Sequence, residues 1–113
     1  MAKQYNQLPQ VAFSILLALS LKPRHGYQIM KQVHEDSMGK INLGPGALYT
    51  SVKLLNEQGL IEELQDSSDT RRRYYQLTSS GRAKLNAELE YYKNTLKLAK
   101  ERKLYEALSQ AGI

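Results

Sequence analysis

The chain has no cysteine, no tryptophan, one phenylalanine and three prolines in 113 residues. Without cysteine there is no disulfide framework, no thiol nucleophile and no thiolate metal site, a composition that fits a reducing compartment and makes the cytoplasm the expected location. The two histidines, His25 and His34, lack the spacing of a ligand pair, so no metal and no cofactor is expected. There is no glycine-rich phosphate loop, no nucleophile elbow and no isolated carboxylate pair in an apolar context, which argues against an enzyme. Long apolar runs are missing too. The stretch from Val11 to Leu21 is interrupted by Ser14 and Ser20 and falls well short of the roughly 20 residues of a membrane span, so a buried helix is expected there.

What remains is basic. A formal net charge of +5 and a sequence pI near 9.5 favour a polyanionic partner. The length suits one domain with a modest core, whose last apolar surface calls for a second copy. Organisation centres on Gly44 to Ile61. Pro45 suits a first helical turn and Gly59 suits a left-handed stop, so a single helix is expected between them. Leu48, Val52 and Leu55 recur on one side as a core stripe, while Gly46, Thr50, Lys53 and Glu57 face roughly the other way. The start of that outer face is small and uncharged (Gly46, Ala47, Thr50), as close approach of a helix end to double-stranded DNA requires.

Before this helix the pattern predicts two more. Pro9 opens the first, with Val11, Ala12, Ile15, Leu16 and Leu19 facing inward, and Lys22-Pro23-Arg24 ends it. The second should run from His25 or Gly26 to Ser37, burying Tyr27, Ile29, Met30 and Val33, and Gly39 should stop it. Lys40 to Leu43 reads as an extended link, with the character of an edge strand, into the third helix: a helix-turn-helix with a lengthened turn.

After Gly59 the period changes to two. Leu60 to Gln65 and Arg71 to Leu77 read as strands around the turn cluster Asp66 to Thr70, giving a hairpin with a basic returning arm. Tyr75 and Leu77 share one face; Arg72, Tyr74 and Gln76 share the other. Following a helix-turn-helix, such a hairpin is a wing, and Arg71 and Arg72 are placed to reach phosphate. Tyr49 and Lys53 are further phosphate candidates, as are Lys40 and Asn42 just before the third helix. Thr78 should cap a final helix reaching about Leu108. Along it Leu85, Leu89, Tyr92, Leu96 and Ala99 follow heptad-like spacing, flanked by Tyr91, Leu98 and Tyr105. This apolar surface is too long for the domain to cover alone and is expected to be a homodimer seam. Tyr91 and Tyr92 either pack that seam or contact a small aromatic, drug-like effector.

With these residues set out, the chain resembles the PadR family of winged-helix transcriptional regulators over about residues 10 to 85. The resemblance rests on Gly26-Tyr27-x-Ile29, Gly46-Ala47-Leu48-Tyr49, Leu55-Asn56-Glu57-Gln58-Gly59-Leu60-Ile61 and Arg72-Arg73-Tyr74-Tyr75-Gln76-Leu77-Thr78-Ser79-Ser80-Gly81. The single long helix after the wing is similar to the short subfamily. The family often has a basic residue where this chain has Leu54. The resemblance implies a homodimeric repressor on a pseudo-palindromic operator, in some members released by a phenolic or drug-like effector. The expected fold is mainly α with a small β-hairpin: a winged helix-turn-helix domain over 8–77, then a dimerisation helix over 78–108. The reading set against it is a winged helix that docks an acidic protein and does not touch DNA.

Overall fold

The structure is a computed structural model describing residues 7–64 and 72–104; Arg71 and Tyr105 of the expected sites, and the tip of the hairpin, lie outside the described residues. Four helices and three short strands follow in the order α1 (Gln10–Leu19), β1 (Arg24–His25), α2 (Gly26–Asp36), α3 (Pro45–Glu57), β2 (Ile61–Leu64), β3 (Tyr74–Leu77) and α4 (Ser79–Glu101). Mainly helical with a small antiparallel sheet, this is the winged-helix arrangement.

The core forms where the helices cross. Ile15, Leu16 and Leu19 of α1, Ile29 and Val33 of α2, Leu48, Val52 and Leu55 of α3, and Ile61, Tyr75 and Leu85 are all buried together. The stripe expected on α3 is therefore present in full. Tyr27, expected in the core, is instead 69% exposed. It sits in the first turn of α2, beyond the edge of the stripe that Ile29 and Val33 continue.

Three helices end on the same chemistry. A residue with positive φ follows α2, α3 and α4 (Met38 with Gly39, Gly59 and Lys103), and the next amide reaches back five residues: Gly39 N–H to His34 O, Leu60 N–H to Leu55 O and Leu104 N–H to Ala99 O. These bonds satisfy carbonyls that a helix end leaves open. For α4 the stop at Glu101 comes before the expected Leu108, because Lys103 turns left-handed without a glycine to announce it.

The sheet differs from a simple hairpin. Its order is β1-β3-β2, all antiparallel, with Arg24 opposite Tyr75, His25 opposite Tyr74, and Ile61 to Leu64 opposite Leu77 to Tyr74. The expected strand character of Lys40 to Leu43 is absent: Ile41 N–H goes to the Ser37 hydroxyl, and Ile41 and Leu43 lean on the core. The third strand is Arg24–His25, which pairs with Tyr74 and Tyr75 of β3. Arg24 is buried, and its Nε–H donates to the Ala18 carbonyl at 2.9 Å, placing a cation at the C-terminus of α1.

Thr78 and Glu88 both fix α4 to the rest. Thr78 caps it by accepting from Gly81 N–H at 3.0 Å, while its own hydroxyl donates to Gly59 O at 2.6 Å and its N–H to Leu60 O at 3.1 Å. One turn beyond Leu85, Glu88 is fully buried, accepting the Leu8 N–H at 3.0 Å and lying 3.6 Å from Lys84 Nζ. Its second carboxylate oxygen has no hydrogen-bond partner among the described residues.

Candidate nucleic-acid interface

On α3 the sequence separates three faces. Leu48, Val52 and Leu55 point inward; Gly46, Tyr49, Thr50 and Lys53, with Ala47 at the edge, are all exposed on the outer side. At the helix start Gly44 is extended and Pro45 follows, so the next amides have no intrahelical partner and point outward at the positive end of the helix dipole. Leu54, 52% exposed, belongs to neither face. It lies beside Ser51 and Gln58 over a groove of about 460 Å³ that Leu8, Val11, Leu55 and Leu60 also line. That direction points toward α1 and away from the outer face.

Beside the outer face lies a cleft of about 520 Å³ lined by His25, Gly26, Tyr27, Tyr49, Arg72 and Arg73. These side chains converge from four parts of the chain. His25 ends β1 and caps α2, its Nδ1 accepting from Gln28 N–H at 3.4 Å while Gln28 Oε1 accepts from His25 N–H at 3.1 Å. Its ring stands edge-on to Tyr74 at 5.3 Å. Tyr49 reaches across from α3, and Gly26 makes the room: a Cβ there would lie 2.7 Å from the Tyr49 hydroxyl. Arg72 and Arg73 come from the arm of the wing just before β3. The structure thus brings the expected Tyr49 and Arg72 together with Tyr27, His25 and Arg73, which local pattern does not assign to this surface. Their signal is weak, since Tyr27 fits a core stripe by period and Arg73 alternates onto the same face as Tyr75.

Behind the cleft, Tyr75 is buried. Burial first, and then the negative charge of Glu63, push its phenol above the ordinary value of 10.0; the positive charge of Arg73 pulls the other way. Arg73 Nε lies 3.6 Å from Glu63 Oε1, an exposed pair at the cleft margin. Lys40 and Asn42 are exposed next to the α2–α3 turn. The Asn42 amide is engaged within that turn, Oδ1 against His34 Nδ1 at 2.7 Å and Nδ2 donating to Gly39 O at 3.4 Å.

The other expected surface runs along α4. Leu89, Leu96, Leu98 and Tyr91 are exposed, and Leu89, Tyr92, Lys93, Leu96 and Lys97 line a shallow, mainly apolar depression of about 480 Å³. Ala99 is half-buried on the same helix. Leu85 is a correction: at 3% exposure it packs into the chain's own core and is not part of this surface. Tyr92 is half-buried, its hydroxyl accepting from Gln7 Nε2 at 3.0 Å and its ring edge-on to Phe13 at 5.3 Å and to Tyr91 at 5.9 Å. Among the described residues no helix is long and apolar enough to cross a membrane, and no group of three or more His, Asp or Glu could hold a metal ion.

Known proteins share this fold. The model of the transcriptional regulator PadR-like family matches residues 15–87. A PadR family transcription regulator from Clostridium difficile R20291 superposes with a TM-score of 0.71 at 25% identity, covering 82% of this chain and 97% of its own. RosR from H. salinarum superposes at 0.68 with 23% identity, covering 94% and 96%. BpsR from Bordetella bronchiseptica, whose DNA binding is regulated by 6-hydroxynicotinic acid, superposes at 0.64 with 18% identity, covering 77% and 61%. No curated protein matches the chain.

Proposed function

Because this chain belongs to the PadR-like family of transcriptional regulators, we propose that it is a homodimeric repressor that binds a pseudo-palindromic operator through α3 and the wing. One observation carries the reading. The exposed, uncharged start of α3 lies directly beside a cleft walled by two arginines and two tyrosines, so a base-reading surface and a backbone-gripping surface are contiguous.

The division of labour follows from chemistry. The N-terminal end of α3 enters the major groove, where Thr50 can hydrogen-bond a base edge and Ala47 can touch a thymine methyl. Tyr49 and Tyr27 donate hydroxyl hydrogen bonds to phosphate, while Lys53, Arg72 and Arg71 supply charge. Lys40 and Asn42 flank the same groove from the turn. The α2–α3 turn also depends on Asn42, so replacing it acts on turn geometry as well as on DNA.

The seam joining two copies is the α4 face of Leu89, Tyr92, Leu96, Leu98 and Ala99. Its exposed leucines and long, mainly apolar depression support this. A small aromatic effector would meet Tyr91 and Tyr92 there. Regulation of BpsR by 6-hydroxynicotinic acid supports an effector of that class.

The experiment is operator binding across salt. Thr50→Val and Ala47→Gln should alter which sequences are preferred, and unchanged selectivity would sink their role as readers. Lys53→Gln and Arg72→Gln should weaken binding to all duplexes and flatten the salt dependence by about 0.9 log units per log salt for each phosphate no longer neutralised. Absence of salt-sensitive duplex binding would instead favour docking to an acidic protein. For the seam, aspartate at both Leu89 and Leu96 should give monomers in sedimentation; a folded dimer would refute it.

A further inference from the structure

We infer that Glu63 is a brake on DNA binding: by holding Arg73, it limits the sequence-independent part of the affinity. This rests on the reading of the cleft as a seat for backbone phosphate. The pairing of the wing produces the arrangement. Glu63 stands opposite Tyr75, so the two side chains share a face of the sheet, and Arg73, two residues before Tyr75, falls on that same face. There its Nε lies 3.6 Å from Glu63 Oε1, on the face that carries the buried Tyr75.

Arg73 is also a wall of the cleft shared with Tyr27, Tyr49 and Arg72. A phosphate entering the cleft meets the Arg73 guanidinium, which already has an anionic partner. Both side chains of that pair are well exposed, at 73% and 44%, so it is weak and phosphate can compete for the arginine. Each neutralised phosphate contributes to every duplex alike, so the cost of displacing Glu63 falls on non-specific and specific binding together.

The neighbouring carboxylate is a built-in control. Glu62 alternates to the opposite face of β2 and accepts a hydrogen bond from the neutral Gln76 amide. Glu62→Gln removes the same charge one residue away on the opposite face of the strand, and it frees an amide, not a cation.

The test is fluorescence anisotropy on two labelled duplexes, one from the region upstream of the protein's own gene and one a scrambled sequence of equal length, over a salt series. Glu63→Gln should tighten binding to both by about fivefold at physiological salt and steepen the slope by about 0.9, as one additional neutralised phosphate predicts. Glu62→Gln should leave the slope unchanged. In an Arg73→Gln background, Glu63→Gln should do no more than Glu62→Gln. An effect equal to that of Glu62→Gln, or one that persists without Arg73, overturns the brake while leaving DNA binding intact. If the wild-type protein and all variants bind neither duplex in a salt-sensitive way, the phosphate reading itself fails and the brake with it.

Discussion

Gly81→Ala sets two physical rules against each other. Gly81 lies in the first turn of α4, and by intrinsic propensity alanine in place of glycine should stabilise a helix by about 1 kcal/mol. Packing says the opposite. A Cβ at this position would lie 1.9 Å from the Leu60 carbonyl oxygen, 2.9 Å from its carbon and 2.9 Å from Leu77 Cδ1. To reach even a 3.0 Å approach, backbone must separate by at least 1.1 Å, since the obstacle is a carbonyl and not the end of a flexible side chain. That carbonyl accepts the Thr78 N–H, and the Thr78 hydroxyl donates to Gly59 O, so the displacement strains both bonds at once. Each is worth about 1 kcal/mol net, and overpacking adds about 1–3 kcal/mol. After subtracting the propensity gain, Gly81→Ala should destabilise the protein by about 2–4 kcal/mol in urea unfolding. Gly46→Ala is the internal comparison, because nothing lies within 4 Å of a Cβ there. It should be neutral or stabilising by up to about 1 kcal/mol. Equal stability of Gly81→Ala and wild type would refute the packing account.

Two further outcomes follow from buried groups. Lys84→Met leaves the Glu88 carboxylate buried without its nearest cation and should cost about 1–3 kcal/mol. Glu88→Gln keeps a carbonyl for Leu8 N–H, should lie within about 1 kcal/mol of wild type, and should abolish the Lys84→Met penalty in a double-mutant cycle. For Tyr75, the folded pKa lies above the unfolded value, so the folded state holds the proton more tightly and stability falls as pH rises through 10.0 and beyond. Tyr75→Phe should remove that part of the alkaline loss, as read by denaturation midpoints on either side of this pH.

The helices were legible because their periods and punctuation agree. Pro45 and Gly59 bracket α3, and Leu48, Val52 and Leu55 identify its buried side without reference to anything distant. Thr78 as a cap is equally local. What sequence could not give depends on tertiary neighbours. Arg24–His25 is a strand only because β3 lies alongside; two residues carry no period of their own. Leu85 and Leu89 share a heptad pattern, yet one meets the core and the other does not, because the side of α4 that packs on the domain continues through Glu88 and Tyr92 and passes Leu89 by. Tyr27 and Arg73 reach the cleft through the crossing of α2, α3 and the wing, which no local pattern encodes. Leu54 is similar: its place beside α1 is set by how α3 is rolled, not by its own residue type.

The suture of Gly59, Leu60, Thr78 and Gly81 ties the end of α3 to the start of α4, and so makes α4 a lever. From Gly81 to Leu98 the helix spans about 25 Å at 1.5 Å per residue. A shift of about 2.6 Å at its far end is therefore a rotation of about 6° at the joint. Passed on to α3, which is about 20 Å long, the same rotation moves the opposite end of that helix by about 2 Å, more than half of the roughly 3.4 Å step along a DNA strand. A looser joint would absorb such a swing, whereas one with no room for a single methyl group transmits it. A swing of α4 near Leu96 would thus reposition α3 without touching any residue on it, provided that α1, which Glu88 and Tyr92 tie to α4 through Leu8 and Phe13, moves with it.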